Sequence, residues 1–152
     1  MCGIAGLVGI GDDALIRRMT DALRHRGPDG EGHSHDPRLG VRLGHRRLAI
    51  VDIDHGAQPM PNEDGSVVVT YNGELYDTAD LRRELESAGH RFSTDHSDTE
   101  ILVHGWEEWG ERLPERLEGM FAFAILDRTR GTLFLARDRF GEKPLLWSAG
   151  ET

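Results

Sequence analysis

Apolar and polar positions fall into a few recognisable periods along the chain. Cys2 to Val8 is a short apolar run and predicts a buried strand that pins the N-terminus into a sheet, holding Cys2 rigidly. Asp12 to His25 carries Leu15, Met19, Ala22 and Leu23 on one stripe at helical spacing. Arg26-Gly27-Pro28-Asp29-Gly30 stops that helix with strong breakers, and a loop is expected to follow. Arg47-Leu48-Ala49-Ile50-Val51 and Ser66 to Tyr71 are β-prone, the second because Val67, Val68, Val69 and Thr70 are all branched at Cβ.

Leu81, Leu85 and Ala88 recur at helical spacing before Gly89, the residue type most often found just past a helix end. Ser97-Asp98-Thr99-Glu100 has the capping-box form S-x-x-E, so another helix is predicted to start there, with Asp98 in its first turn and Ile101, Leu102, Trp106 and Trp109 along it. Met120 to Leu126 is apolar on both alternating faces, and after a turn at Asp127 to Gly131 the run Thr132 to Ala136 is apolar again, predicting a hairpin buried on both sides. Strands covered on both faces, with about three amphipathic helices, imply an α+β architecture of stacked antiparallel sheets between helical layers. No repeat, low-complexity tract or Pro/Ser linker divides residues 1–152, which read as one domain.

Composition narrows the function classes. Acidic residues outnumber basic ones 27 to 18, for a formal charge of −9, which disfavours nucleic acid as a partner. No apolar run is long enough to span a bilayer, and Met1 to Gly11 lack the positive start of a secretory signal, so a soluble cytoplasmic protein is expected. Cys2 is the only cysteine, and the eight histidines show neither HExxH nor zinc-finger spacing. The expectation is therefore no disulfide and no structural metal.

The position of Cys2 is its distinguishing feature. Removal of Met1 would leave one residue with both a thiol and an α-amine, and a terminal amine can activate its own side chain as a nucleophile. A lone cysteine without context is more often a small buried residue. Asn72-Gly73 is, by itself, a strong hairpin-turn signal, yet an Asn amide and a glycine N–H can also donate to a developing oxyanion. Arg47 could clamp a carboxylate in a bidentate pair or be an exposed residue at a strand start. Asp98 could favour the helix dipole or, turned inward, hold an ammonium; Glu74 could do likewise or be solvated. His25, His45 and His104 are read as structural.

Taken in order, Met1-Cys2-Gly3-Ile4-Ala5-Gly6, Arg24-His25-Arg26-Gly27-Pro28-Asp29, Arg47-Leu48-Ala49-Ile50-Val51-Asp52, Tyr71-Asn72-Gly73-Glu74 and Ser97-Asp98-Thr99-Glu100 resemble the N-terminal half of glutamine-hydrolysing asparagine synthetases. Gly119-Met120-Phe121-Ala122-Phe123 and the stretch from Arg137 to Leu145 extend the resemblance over nearly the whole chain. It implies a class II glutamine amidotransferase domain with the N-terminal-nucleophile hydrolase fold, an αββα sandwich. It also implies roles: Cys2 as nucleophile, Asn72 and the Gly73 N–H as oxyanion hole, Arg47 on the glutamine α-carboxylate and Asp98 on its α-amine. Glu74 and the backbone near Ile50 and Val51 would complete the pocket, with 25–29 as a supporting loop.

The same resemblance implies L-glutamine as substrate and an ATP-dependent synthetase domain or subunit as partner. That domain's pyrophosphate loop does not occur before Thr152, so ATP and magnesium are expected there, and no cofactor is expected for this domain. Two alternatives stay open: a glutamine-binding or regulatory module without turnover, and an amidotransferase half serving a different acceptor or a β-lactam-forming relative that no longer uses glutamine. Oligomeric state is left open.

Overall fold

The computed structural model describes residues 1–49 and 56–150. The N-terminal run forms β1 (Gly3–Val8), paired antiparallel with β3 (Val41–Arg47), which pairs on its other side with β2 (Gly30–Asp36). Before β2 comes α1 (Asp13–Ala22), whose N-cap Asp12 accepts from the Leu15 N–H at 2.8 Å. The helix ends earlier than the Asp12 to His25 stripe suggested, because residues 23–26 form a turn. Its Ile16 and Thr20 are buried against the sheet.

Two strand expectations are corrected here. The expected loop after residue 30 is β2, a strand of polar and glycine residues stabilised by its ladder to β3 rather than by an apolar period. The strand expected at Arg47 to Val51 lies earlier: Arg47 ends β3, Leu48 and Ala49 are irregular, and Ile50 and Val51 lie outside the described residues.

The second sheet has the order β4-β5-β6-β7, with β4 (Met60–Pro61), β5 (Val67–Leu75), β6 (Gly119–Asp127) and β7 (Thr132–Arg137), all antiparallel. Asn72 and Gly73 are not a turn. They lie inside β5, opposite Ala122 and Phe121, so the turn reading fails because the strand runs on to Leu75. The hairpin of β6 and β7 forms as predicted, but only β6 is buried, from Phe121 to Asp127; β7 is the sheet edge, and Leu135 is exposed.

The two-residue period of β5 and β6 divides the core. Val68, Ala124 and Leu126 face Val41 and Leu43 of β3, so the two sheets stack. Val69, Tyr71, Phe121, Phe123 and Ile125 face the other way, onto Leu85 of α2 (Thr78–Ala88) and Ile101, Leu102 and Trp106 of α3 (Asp98–Trp109). Burying a side chain of this size contributes about 1.5–3 kcal/mol, so β6, apolar on both faces, is the element on which both halves of the core depend. A short helical turn, α4 (Leu113–Arg116), closes that layer with Leu113 and Leu117. The layers run helix, sheet, sheet, helices, which is the expected αββα sandwich. Among the described residues no helix is long and apolar enough to cross a membrane.

Candidate active site

Cys2 sits just ahead of the β1 ladder, half-buried, with its thiol free. Its carbonyl accepts from Arg26 Nε at 3.0 Å, and the Leu48 N–H points at its Sγ at 3.4 Å. Residues 25–29 support this corner: the Asp29 N–H donates to the Arg47 carbonyl at 3.0 Å, and Asp29 Oδ2 accepts from the Ala49 N–H at 2.9 Å. Gly27 lets the loop lie against β3; a Cβ there would fall 2.4 Å from the Arg46 carbonyl carbon.

Asn72 and Gly73 occupy the stretch of β5 beyond its short pairing with β4. Alternate N–H groups of a strand point to the same edge. On this edge the Tyr71 N–H donates to Gln58 Oε1 at 2.6 Å and the Leu75 N–H to Asp98 Oδ2 at 3.2 Å. The Gly73 N–H lies between them on the open edge, since its partner Phe121 turns its own N–H and carbonyl to Asp138 instead. Gly73 must be glycine: a Cβ would stand 2.3 Å from the Met120 carbonyl oxygen.

Asp98 opens α3, and its carboxylate is turned inward, accepting from the Tyr71 hydroxyl at 2.8 Å as well as from Leu75. Burial raises its pKa above the ordinary value, and those two donors offset the effect only in part. Burial also drives the Tyr71 phenol upward, as does the neighbouring Asp98, so Tyr71 stays a donor. The predicted capping box does not form: Ser97 is the N-cap residue but makes no side-chain cap bond. Glu100 reaches back instead to the Ser93 and Thr94 N–H groups at 2.7 and 2.9 Å. Burial works against its charge, yet these donors outweigh it and hold the carboxyl below the usual range.

Cys2, Arg47, Asn72, Gly73, Glu74 and Asp98 all line one cavity of about 110 Å³. Arg47 reaches it from the end of β3 and the exposed Glu74 from its rim on β5; Ile50 and Val51 fall outside the described residues. The cavity thus combines a free thiol, backbone and amide donors, a guanidinium and a carboxylate. It can hold a zwitterion by both charges while an acyl carbon meets the sulfur.

Sequence reasoning assigned no role to three further residues. Tyr71 and Gln58 organise the strand edge, Gln58 bridging to Thr99 Oγ1 at 3.2 Å, and Lys143 places its ammonium 3.0 Å from Met1 Sδ and 2.9 Å from Met120 Sδ in the cavity wall. The only signal was their neighbourhood: Tyr71 precedes Asn72-Gly73, and Lys143 lies in the Arg137 to Leu145 stretch. His45 is buried and donates to the Tyr71 carbonyl at 3.1 Å; burial pushes its pKa down to about 4, so it is neutral at pH 7, in keeping with a structural role.

Known proteins resemble the chain in both sequence and fold. Glutamine-hydrolyzing asparagine synthetase 3 of Bacillus subtilis (strain 168) is 45% identical over 160 residues, covering 97% of this chain and 25% of that protein. Glutamine-hydrolyzing asparagine synthetase 2 of Oryza sativa subsp. japonica is 44% identical over 156 residues, 99% of this chain and 25% of that protein. The chain therefore spans about a quarter of the length of these relatives. In fold it is similar to the glutamine phosphoribosylpyrophosphate amidotransferase of B. subtilis, with a TM-score of 0.69 and 23% identity over 90% of this chain and 37% of that one. Residues 1–152 match the family described as glutamine amidotransferase domain, and the chain belongs to that family.

Proposed function

We propose that this domain hydrolyses L-glutamine to glutamate and ammonia at Cys2 and supplies the ammonia to an ATP-dependent synthetase domain of the asparagine synthetase kind. The observation that carries this reading is the convergence of Cys2, Arg47, Asn72, Gly73 and Asp98 on one cavity. The relatives' names, glutamine-hydrolyzing asparagine synthetase, support a synthetase of that kind as the recipient of the ammonia.

Once Met1 is removed, the Cys2 α-amine takes the thiol proton and the thiolate attacks the side-chain amide carbon of glutamine. The Leu48 N–H, 3.4 Å from Sγ, favours negative charge on the sulfur. The Asn72 amide and the Gly73 N–H take the oxyanion of the tetrahedral intermediate. As the C–N bond breaks, the ammonium form of the α-amine returns its proton to the leaving nitrogen, and ammonia departs from a thioester. Water, giving a proton to the same amine, then cleaves the thioester to glutamate and free thiol. Arg47 and Asp98 hold the α-carboxylate and α-ammonium throughout, which converts attack into a positioned, effectively unimolecular step. None of these steps calls for a cofactor.

Glutamate release measured on the protein lacking Met1, with intact mass confirming the new N-terminus, tests the proposal. Turnover that disappears in Cys2→Ala is expected; undiminished turnover in that variant overturns it. Saturable glutamine binding without any glutamate release would instead identify a binding module.

A further inference from the structure

We propose that His90, His104 and Glu107 form a binding site for one divalent transition-metal ion, with zinc the ion of best fit. The three come from two helix ends rather than from one motif, which is why histidine spacing gave no sign of it and pointed to a metal-free domain. His104 and Glu107 lie one turn apart on α3. His90 follows Gly89, which ends α2 in a left-handed conformation (φ 106°), and its N–H is held by the Leu85 carbonyl at 3.1 Å. All three side chains are thus fixed to rigid elements.

Two of the three distances lie near those of zinc coordination. Glu107 Oε2 is 3.1 Å from His104 Nδ1 and 3.6 Å from His90 Nδ1, and one ligand atom from each residue lies within 4.8 Å of the others. Zinc–ligand bonds of about 2.0–2.2 Å at tetrahedral angles place neighbouring ligand atoms roughly 3.4 Å apart. The His90–His104 separation, within 4.8 Å, closes toward that spacing when an ion is bound. His104 is buried, whereas His90 and Glu107 keep 17% and 27% of their side chains exposed, leaving a side for ion entry and a water ligand.

Proton placement gives the second argument. Each imidazole has a carboxylate at both ring nitrogens: His104 Nε2 is 3.7 Å from Glu100 Oε1, and His90 Nε2 is 3.4 Å from Glu108 Oε2. A neutral ring has one N–H and one lone pair, so without a metal each neutral ring turns a lone pair toward a carboxylate. His104 Nε2 is indeed buried without a hydrogen-bond partner among the described residues. An ion on the two Nδ1 atoms and Glu107 resolves this: both Nε2 atoms carry protons toward Glu100 and Glu108, in the carboxylate–histidine–metal order that orients ligands at metal sites. Asn62 Nδ2, donating to Glu107 Oε1 at 2.8 Å, leaves Oε2 for the ion. The site stands apart from the cavity and fastens the end of α2 to the helix whose first residue is Asp98.

Isothermal titration with zinc chloride, using untagged Cys2→Ala protein so that no thiol competes, tests the site. One zinc per chain is expected, with a Kd of about 1 μM or tighter. Zinc in excess should raise Tm by about 5 °C. His90→Ala and Glu107→Ala, at partly exposed positions, should each weaken binding at least about tenfold and abolish the Tm shift. Histidine-ring NMR reads the site independently of these variants: only His90 and His104 should shift on titration. Absence of saturable binding, binding unchanged in both variants, or shifts confined to other histidines overturns the proposal.

Discussion

The Tyr71 hydroxyl donates to Asp98 Oδ2 at 2.8 Å, and that hydrogen bond ties the strand carrying Asn72 and Gly73 to the helix that begins at Asp98. The proposed oxyanion donors and the proposed ammonium-binding carboxylate are therefore held in one frame. Tyr71→Phe removes the shorter of the two hydrogen bonds to Asp98 Oδ2 and leaves the Leu75 N–H to hold the carboxylate. A hydrogen bond to a charged group is worth about 1.5–3 kcal/mol, so KM for glutamine should rise about 10-fold or more, with kcat changed much less. Steady-state glutamate release decides it; an unchanged KM would show that Asp98 is positioned by other contacts.

Burial raises the Asp98 pKa, and this gives the pH dependence of substrate binding a definite sign. As pH falls toward the raised pKa, the carboxylate gains a proton and loses the proposed hold on the substrate ammonium. KM should therefore climb on acidification before an ordinary carboxylate would titrate. Asp98→Asn should bind poorly at every pH and show a flat profile over that range; a wild-type profile in the variant would rule Asp98 out as the titrating group.

Asn72→Ala should lower kcat by about 10²- to 10³-fold if its amide serves the oxyanion, with the fold intact by circular dichroism. Gly73→Ala should be worse, because its methyl would meet the Met120 carbonyl oxygen at 2.3 Å and force β5 away from β6. Loss of activity together with a lower unfolding midpoint is the expected pair of results for Gly73→Ala. A fully active, fully stable alanine variant would mean that β5 can shift without cost.

His45 is buried neutral, with its pKa lowered from 6.5 to about 4. The unfolded chain binds this proton more readily than the folded one, so the stability attached to a neutral His45 is present above pH 6.5 and is lost as pH falls from 6.5 toward 4. The loss is roughly 3 kcal/mol across that window. Urea titrations at several pH values should show this slope in the wild type and its reduction in His45→Gln, which keeps a donor for the Tyr71 carbonyl. Parallel slopes would locate the acid sensitivity elsewhere.

Asp138 accepts from the N–H groups of Phe121, Phe140, Glu142 and Lys143 at 2.9–3.1 Å, pinning the segment after β7 onto β6. Burial opposes its charge, but these donors prevail and keep its pKa low. Asp138→Ala leaves several of them unsatisfied and should cost about 2 kcal/mol or more, visible as a lower urea midpoint. Because Met120 and Lys143 line the cavity, KM for glutamine should change as well.

Legibility followed the periodicity of burial. β6 was readable because apolar residues on both faces leave few alternatives, and α2 because Leu81, Leu85 and the terminal Gly89 agree. β2 was not, since Gly30–Asp36 is stabilised by its ladder to β3 and has no apolar stripe of its own. The capping box misled because Glu100 finds better donors in Ser93 and Thr94, which only the folded chain brings near. The candidate site came from the order of short motifs, not from any period. Tyr71 and Gln58 escaped notice because their roles rest on hydrogen bonds across separate segments, and His90 joins His104 only when α2 packs on α3.

The ladder of β1 begins at Gly3, and the side chain of Met1 lies in the same cavity wall as Cys2. Anything fused ahead of the cysteine would plug the chamber as well as cap the amine. Purification handles belong at the opposite end of the polypeptide, and a preparation carrying a leading extension is expected to be inert because the proposed base is blocked and the chamber filled.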